Sequence, residues 1–458
     1  MTDESMTKDV EIMLGSPKKA IMKMAVPMII AILASSLTGL VDAAWISGLG
    51  PDSLAALGVL FPLFFIVVGV SSGISVGASS AIARHIGAGN KYEAERTASV
   101  AFTLTIVIGI LFSGLMLIVA RPLIMAIGGA DIIDLCMEYA NIMLIFATAF
   151  FINAFMSGLL RSEGNARRSM IVMVTFAILN LTLDPIFIYT MGWGLTGAAY
   201  ATVVAFTIAT IPAFYWYFIK KDTYLSLRIG KPHFDKKISK DIFRVGIPAS
   251  VEFMAISLSV MLMNIILVSV GGTDGVAIYS SGWRILQIVM IPCLGIGSAA
   301  IPICAAAYGA RDTAKVKEAF MFSIKVSLLL MTMLAGLLAL SAGIVTGMFT
   351  YSAETAYLHD DMTLFIRISC IFLPFIGFGV LSSSLFQSMG MGVNALASTM
   401  FRNFIILPAA FFVSFGGTLV DIWWAVAFME ILGPVVVVIW ALMVLSALTK
   451  KGRRHAHQ

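Results

Sequence analysis

Residues 20–47 read AIMKMAVPMIIAILASSLTGLVDAAWIS, a run in which only Lys23 and Asp42 carry a charge. An apolar helix of about 20 residues crosses the hydrocarbon core of a bilayer, which is roughly 30 Å thick. The run therefore predicts a transmembrane helix with a carboxylate inside it. Because an ionised carboxylate in hydrocarbon costs at least about 2.5–3.5 kcal/mol, we expect Asp42 to face protein or water and to have a function there.

Apolar runs of this kind recur along the whole chain of 458 residues. Hydrophobic residues make up 59% and charged residues 12%, and the mean hydropathy is +0.97, whereas roughly a quarter of the residues in soluble domains are charged. So few charges cannot cover the surface of a soluble protein. We predict an all-α membrane protein with twelve transmembrane helices, at about 20–47, 54–83, 98–120, 135–160, 169–190, 195–219, 241–270, 275–307, 318–348, 362–388, 394–416 and 420–448.

The two halves of the chain are internal repeats. Pro27 in AVPMIIAILAS corresponds to Pro248 in GIPASVEFMAI, and Gly87 in HIGAGNKYEAE corresponds to Gly309 in AYGARDTAKVK. Six spans per half leave both halves starting on the same side, so the repeats are parallel and related by an axis along the membrane normal. We predict two six-helix lobes around a central cavity: residues 1–229 with spans one to six, and residues 230–458 with spans seven to twelve.

The charges predict the orientation of the chain. Arginine and lysine recur in every second loop and in the C-terminal tail, whereas the loops between them offer only Arg121. Because basic loops stay in the cytoplasm, we expect a multi-pass protein of the cell (inner) membrane with both termini cytoplasmic. The net charge of +5 is then a signal of topology. We expect the lipid bilayer as its surroundings, a monomer, and no nucleic-acid partner.

The polar side chains inside spans are unevenly divided between the halves. Asp42 and Asp184 lie at similar estimated depths, and Asn180 precedes Asp184 by four residues, which places both on one helix face. Thr202 lies at a comparable depth in the next span. The corresponding positions in the second half carry no acid, so the first lobe alone is predicted to hold this polar site.

Carboxylate, amide and hydroxyl oxygens are the ligands that a sodium ion accepts. Without an ion, two carboxylates this close repel each other, and a proton binds instead. The same groups could also serve only to join helices by hydrogen bonds. The sequence therefore leaves sodium, a proton and a purely structural role open.

Other intramembrane charges are assigned to structural ion pairs: Arg402 with Glu252, and Arg284, Arg367 and Glu430 with partners that the sequence does not identify. Glu252 also has a second interpretation, since an acid in the cavity of the second half could hold a cationic substrate. Asn153 in the fourth span is the other candidate for the substrate cavity. No metal cluster and no pair of nucleophile and base in the sequence indicates an enzyme, and no cofactor is expected.

At these residues the chain resembles the multidrug and toxic compound extrusion (MATE) family, and its DinF-like branch in particular. The resemblance covers the whole chain and rests on Pro27, Asp42, GAGN after the second span, RSEGNARRS after the fourth and NLTLDP in the fifth. It implies that Asp42, Asn180, Asp184 and Thr202 form a cation site, with Tyr139 nearby. It also implies that Pro27 is a conformational switch whose kink responds to the cation.

The resemblance implies a secondary antiporter that exports amphipathic or cationic drugs and toxic metabolites. Inward Na⁺ or H⁺ would drive the export through alternating access of the cavity to the two sides. Two other transporters remain as alternatives: a related flippase for lipid-linked precursors, and a major-facilitator-type transporter, which also has twelve spans in two parallel halves.

Overall fold

In the computed structural model the chain is described over residues 6–227, 234–352 and 355–456, and its regular structure is helical throughout. The predicted boundary between residues 229 and 230 lies outside the described residues. The helices are α1 Lys8–Leu14, α2 Pro17–Ser47, α3 Pro51–Gly87, α4 Lys91–Ile127, α5 Ile133–Ile145, α6 Ala147–Ser162, α7 Ala166–Pro185, α8 Gly194–Phe214, α9 Lys236–Gly309, α10 Thr313–Gly347, α11 His359–Ser388, α12 Gly392–Ser414 and α13 Leu419–Ala456.

Twelve spans follow from these helices. Ten of the described helices are long and apolar enough to cross a membrane, and α5 with α6 forms one further span that is bent by 49°. The helix α9 is two spans in one, because Gly272 has a non-helical backbone (φ 57°, ψ −145°) at the turn between them. The predicted fold class, twelve helices in two lobes, is confirmed. The lobes are α1–α8 and α9–α13.

Short loops of one repeated design join several spans at the end of the molecule that carries both termini. In GAGN and in EGN, a glycine of positive φ, Gly89 (71°) or Gly164 (76°), is followed by an asparagine. Asn90 and Asn165 each accept a hydrogen bond from the third residue of the next helix, at 3.1 Å. Glycine tolerates the left-handed backbone and asparagine caps the helix start, which explains both motifs. We call this end, with its many arginines, the basic end.

Buried apolar side chains form three separate cores. One core draws on both lobes, from Val10 to Leu445, and all of it lies toward the basic end. The second belongs to the second lobe alone, and the third, from Ile46 to Ala199, belongs to the first lobe alone. The lobes therefore share a core at the basic end and pack independently at the opposite end. A cleft between them opens at that end, which we call the open end.

Glycines bring the two lobes into backbone contact at the basic end. A Cβ atom on Gly87 of α3 would lie 1.8 Å from the carbonyl oxygen of Ala306 in α9. Its repeat partner Gly309 meets the carbonyl oxygen of Arg84 in the same way, at 1.9 Å. Neither site has room for a side chain, so the repeated glycines allow α3 and α9 to touch near the symmetry axis.

Polar groups strengthen this contact. The hydroxyl of Ser80 donates to the carbonyl of Gln387 at 2.6 Å, and Arg84 forms an ion pair with Asp241 at 2.7 Å. Among the described residues, every hydrogen bond and ion pair between the lobes lies at the basic end. Ser80 and Arg84 also donate to the carbonyl of Ser388, and the others are Lys315 to Leu14, Lys18 to Glu318 and Arg96 to Asp235. We call this set of glycine and polar contacts the basic-end seal.

Candidate cation site

A polar cluster forms where α2, α7 and α8 meet inside the first lobe. The amide nitrogen of Asn180 donates to Oδ1 of Asp184 at 3.1 Å and to Oγ1 of Thr202 at 3.3 Å. Asn180 and Asp184 are fully buried, at 0% and 1% exposure. The spacing of four residues thus places both on one face of α7, as predicted, and this face is turned toward α8.

The helix α2 adds the second carboxylate. Asp42 lies within hydrogen-bonding distance of Asp184, and α2 packs along α7 over much of its length. Tyr139 of α5 is buried beside the hydroxyl of Thr202 and near both acids. The structure therefore brings together all five residues that the sequence proposed for this site: Asp42, Tyr139, Asn180, Asp184 and Thr202.

The oxygens of the cluster are not all satisfied by the protein. Oδ1 of Asp42, Oδ1 of Asn180 and Oδ2 of Asp184 are buried and accept no hydrogen bond from the described residues. A buried acceptor without a partner costs about 1–3 kcal/mol, and more if it is charged. Three such oxygens from adjacent side chains form the arrangement that a small cation, or a proton shared between two carboxylates, would satisfy.

The helical segment that follows Asp184 at the end of α7 is wider than an α-helix. After Pro185, residues Ile186–Thr190 form a π-helix, and the N–H of Met191 donates to the carbonyl of Ile186 at 2.8 Å. Proline has no N–H to donate, and a π-segment accommodates the resulting break in the hydrogen-bond pattern. The helix next to Asp184 is therefore held less regularly than the rest of α7.

The two candidates for the substrate cavity lie elsewhere. Asn153 is buried between α6 and α8, where its amide donates to Thr210 at 2.9 Å. Glu252 of α9 accepts hydrogen bonds from Ser383 and Gln387 of α11, each at 3.1 Å, and from Thr399 of α12. Neither residue belongs to the cluster around Asp184.

The ion pairs expected for the remaining intramembrane charges do not form among the described residues. Arg402 lies near Glu252 and Glu430 without reaching 4 Å of either, and its guanidinium donates instead to Asn403 at 3.4 Å. Serine, threonine and glutamine satisfy the Glu252 carboxylate in place of the arginine. Arg284 and Arg367 are exposed and have no acidic partner in the part of the chain that the structure describes.

A second polar site, not anticipated from the sequence, lies at the basic end around Glu163. Its carboxylate is 3% exposed and accepts from the hydroxyl of Tyr217 at 2.5 Å and from the N–H of Tyr224 at 2.9 Å. Burial raises the pKa of Glu163 to about 7, although both hydrogen bonds act in the opposite direction. This loop residue follows α6 directly and can change its protonation near neutral pH.

The raised pKa predicts that folding stability depends on pH through this residue. Since the ordinary pKa is 4.5, the folded state favours protonated Glu163; its stabilising effect is complete below about pH 4.5 and is lost as the pH rises through 7. The loss is on the order of 3 kcal/mol. We expect the melting temperature of wild type, relative to Glu163→Gln, to fall between pH 4.5 and 8. An unchanged difference would contradict the prediction; exposed Asp134, as Asp134→Asn, is the control.

Both halves of the chain match one family model. The MatE model covers residues 27–186 and residues 248–412, one stretch in each lobe. The chain belongs to the MATE family. This MATE transporter is 24% identical over 415 residues to the multidrug export protein MepA of Staphylococcus saprophyticus, with 90% of each chain covered. The resemblance inferred from Pro27, Asp42 and the loop motifs is thereby confirmed.

Solved structures of MATE proteins share the fold. An outward-facing multidrug resistance MATE transporter superposes with a TM-score of 0.94 at 35% identity, covering 97% of this chain and 99% of its own. A transporter of the MOP superfamily from Pyrococcus furiosus, whose binding pocket has a reverse polarity that suggests a different function, gives 0.93 at 35% identity with the same coverage. The family sets aside the major-facilitator alternative, whereas the roles of the individual site residues remain predictions.

Proposed function

We propose that this MATE protein is a secondary active antiporter that exports amphipathic or cationic organic compounds in exchange for inward Na⁺ or H⁺. The observation that carries the proposal is the pair Asp42 and Asp184 with its unsatisfied oxygens, in one lobe beside a cleft that is open at one end. A cation that binds there neutralises charge buried in the lobe. Family membership and the relative MepA, named as a multidrug exporter, support drugs as the substrate class.

Coupling of cation binding to drug export requires that a bound cation changes the shape of the cleft. The helix α2 connects the cation site with the contact between the lobes. This helix carries Asp42 near the open end and Ile29 toward the basic end, where Ile29 packs against Gly295 of the second lobe. Pro27, two residues before Ile29, leaves the carbonyl of Lys23 without its helical hydrogen bond and lets the helix bend. A change of shape in α2 on cation binding would thus act directly on the contact between the lobes.

In this mechanism, the lobes separate at the basic end to admit a drug and close there again to release it at the open end. Cation binding at Asp42 and Asp184 then favours the return, and it does so only through a difference in cation affinity between the two states. The topology proposed with it places the basic end and both termini in the cytoplasm, and the transporter works as a monomer.

Efflux from vesicles tests the proposal. Purified protein is reconstituted with a fluorescent organic cation inside, and sodium and proton gradients are imposed separately. We expect one gradient to drive export and the other to have no effect, which identifies the coupling ion. Export that is as fast without any gradient as with one would contradict the proposed antiport.

Pro27→Ala separates switching from cation binding. The substitution restores the hydrogen bond to Lys23, which favours the straight helix by up to about 3 kcal/mol and so shifts the balance of conformations by roughly 100-fold. Pro27 precedes Asp42 by fifteen residues, or about 22 Å, too far to touch a bound ion. We expect drug efflux to fall severely and cation affinity to fall only modestly.

Both quantities are measured on the same preparation, with Pro122→Ala, a proline inside α4, as the control. Normal efflux in Pro27→Ala would assign Pro27 a passive role. Complete loss of cation binding would show instead that the proline supports the site itself.

A further inference from the structure

Arg284 is an exposed intramembrane cation without a partner. It lies twelve residues after the Gly272 turn, or roughly 18 Å along the helix, and among the described residues it has no hydrogen bond, ion pair or aromatic ring as a partner. The acids inside the membrane have other neighbours: Asp42 lies beside Asp184, and Arg402 is the cation near Glu252 and Glu430. A charge placed at such a depth without a partner indicates a functional site.

The face of α9 that carries Arg284 is turned toward the first lobe. Gly295 follows eleven residues later, which is three helical turns, and therefore lies on the same face. A Cβ atom on Gly295 would lie 2.5 Å from Cγ1 of Ile29 in α2, so this face contacts the first lobe. On the same face, Ile291 is still buried (3% exposed) whereas Ile288 is 42% exposed. The contact between the lobes thus ends before Ile288, and Arg284, one turn further on, faces the open cleft.

The repeat shows that this charge belongs to one lobe only. Gly73 is the counterpart of Gly295 at an offset of 222 residues, and it contacts the opposite lobe at Gly246. The same offset relates Arg284 to Pro62, which has no charge. Conversely, the acids Asp42 and Asp184 of the first lobe have no acidic counterpart at the corresponding positions of the second lobe. The acids without a cationic neighbour therefore lie in the first lobe, and Arg284 lies on the cleft face of the second.

We propose that Arg284 is a cationic subsite of the cleft, which binds the anionic group of an amphipathic substrate. The proposal rests on the proposed export function and specifies its substrate class. A guanidinium presents a planar set of donors that matches a carboxylate or phosphate, and away from bulk water such a pair is strengthened. The exposed Ile288, one helical turn away on the same face, provides an apolar surface for the body of the substrate.

The two possible sources of such a group are a drug and a lipid. A zwitterionic drug brings a carboxylate together with an amine, so it could be exported by the same protein as a simple organic cation. An anionic phospholipid brings a phosphate on an apolar body and would enter the cleft from the bilayer. Both present the same chemistry to Arg284, and separate arms of the experiment distinguish them.

Norfloxacin and its ethyl ester form a matched pair of probes, because they differ only in the replacement of the carboxylate by a neutral ethyl ester. In reconstituted vesicles, we expect Arg284→Gln to lower norfloxacin export by about tenfold, the effect of losing a charge-assisted hydrogen bond, and to leave export of the ester within about twofold. Arg367→Gln is the control, since Arg367 is also exposed, in the same lobe, and eight residues into α11. It should leave both rates unchanged.

The lipid arm measures movement of a fluorescent phosphatidylglycerol across the bilayer in the same vesicles. Loss of this movement in Arg284→Gln, with norfloxacin export unchanged, would assign the anionic group to a lipid. An equal decrease for the acid and the ester, with no effect on the lipid, would show that Arg284 is structural and overturn the proposal. No change with any probe would overturn it as well.

Binding to the full-length protein in detergent separates this inference from the export function. Norfloxacin binding is followed by its fluorescence, and we expect about tenfold weaker binding to Arg284→Gln than to wild type, against equal binding of the ester. If wild type exports nothing but this selectivity holds, the proposed function fails and the subsite stands. Equal affinities of wild type and variant for norfloxacin and for a phosphatidylglycerol probe would refute the subsite.

Discussion

Asp42→Asn and Asp184→Asn should each abolish gradient-driven efflux while the protein remains folded. The two carboxylates are the only acids of the cluster, and an amide neither takes up a proton nor attracts a cation with a full charge. Since each substitution removes a buried charge that has no cationic partner, the desolvation cost falls, and we expect the melting temperature to hold or rise. Efflux is measured in vesicles and stability by thermal unfolding of the same samples.

Asp52→Asn is the matched control, because Asp52 is an exposed acid in the first turn of α3. Its efflux should equal that of wild type. Wild-type efflux by either variant of the buried pair would remove that acid from the coupling site. A loss of folded protein would instead assign the pair a structural role, the alternative that the sequence left open.

Gly87→Ala should open the basic-end seal. The added methyl group would lie 1.8 Å from the carbonyl oxygen of Ala306, whereas real Cβ contacts essentially never fall below 3.0 Å, so α3 and α9 must separate by about 1 Å. Because the neighbouring atom belongs to the backbone, no rotation of a side chain relieves the clash. We expect the closed basic end to be strongly disfavoured and drug efflux to be lost.

Spin labels at Lys91 and Arg311 would report the separation of the lobes at the basic end. We expect a longer distance in Gly87→Ala than in wild type, and the same result for Gly309→Ala, whose methyl group would lie 1.9 Å from the carbonyl of Arg84. Gly114→Ala is the control, since nothing lies within 4 Å of its Cβ position. Unchanged distances and normal efflux in Gly87→Ala would show that the seal is not required for transport.

The sequence predicted the cluster around Asp184 because its geometry is mostly local. A spacing of four residues fixes Asn180 and Asp184 on one face of α7, and similar depth in neighbouring spans brings Asp42 and Thr202 to the same level. Long apolar runs likewise located the spans, including the two that the Gly272 turn joins. Predictions of this kind need only the helical repeat and the thickness of the bilayer.

Glu163 could not be predicted in the same way. It lies in RSEGNARRS, a charged loop that resembles solvated surface, and its burial depends on Tyr217 and Tyr224, more than fifty residues further along the chain. The predicted ion pair between Glu252 and Arg402 was also wrong, for a physical reason. Similar depth in the membrane suggested the pair, but hydroxyl and amide groups of α11 and α12 donate hydrogen bonds to the Glu252 carboxylate instead. Depth follows from the sequence, but the face on which a helix meets its neighbours does not.

The separate cores of the protein can form at different stages of its synthesis and insertion into the membrane. All members of the open-end core of the first lobe lie between Ile46 and Ala199, so this core can pack before the second half of the chain exists. The shared core needs residues as far apart as Val10 and Leu445, and it can close only when the last span has been inserted. A chain inserted only as far as α8 therefore already holds the open-end core of the first lobe, whereas the glycine-lined face of α3 lacks its partner until α9 has been inserted.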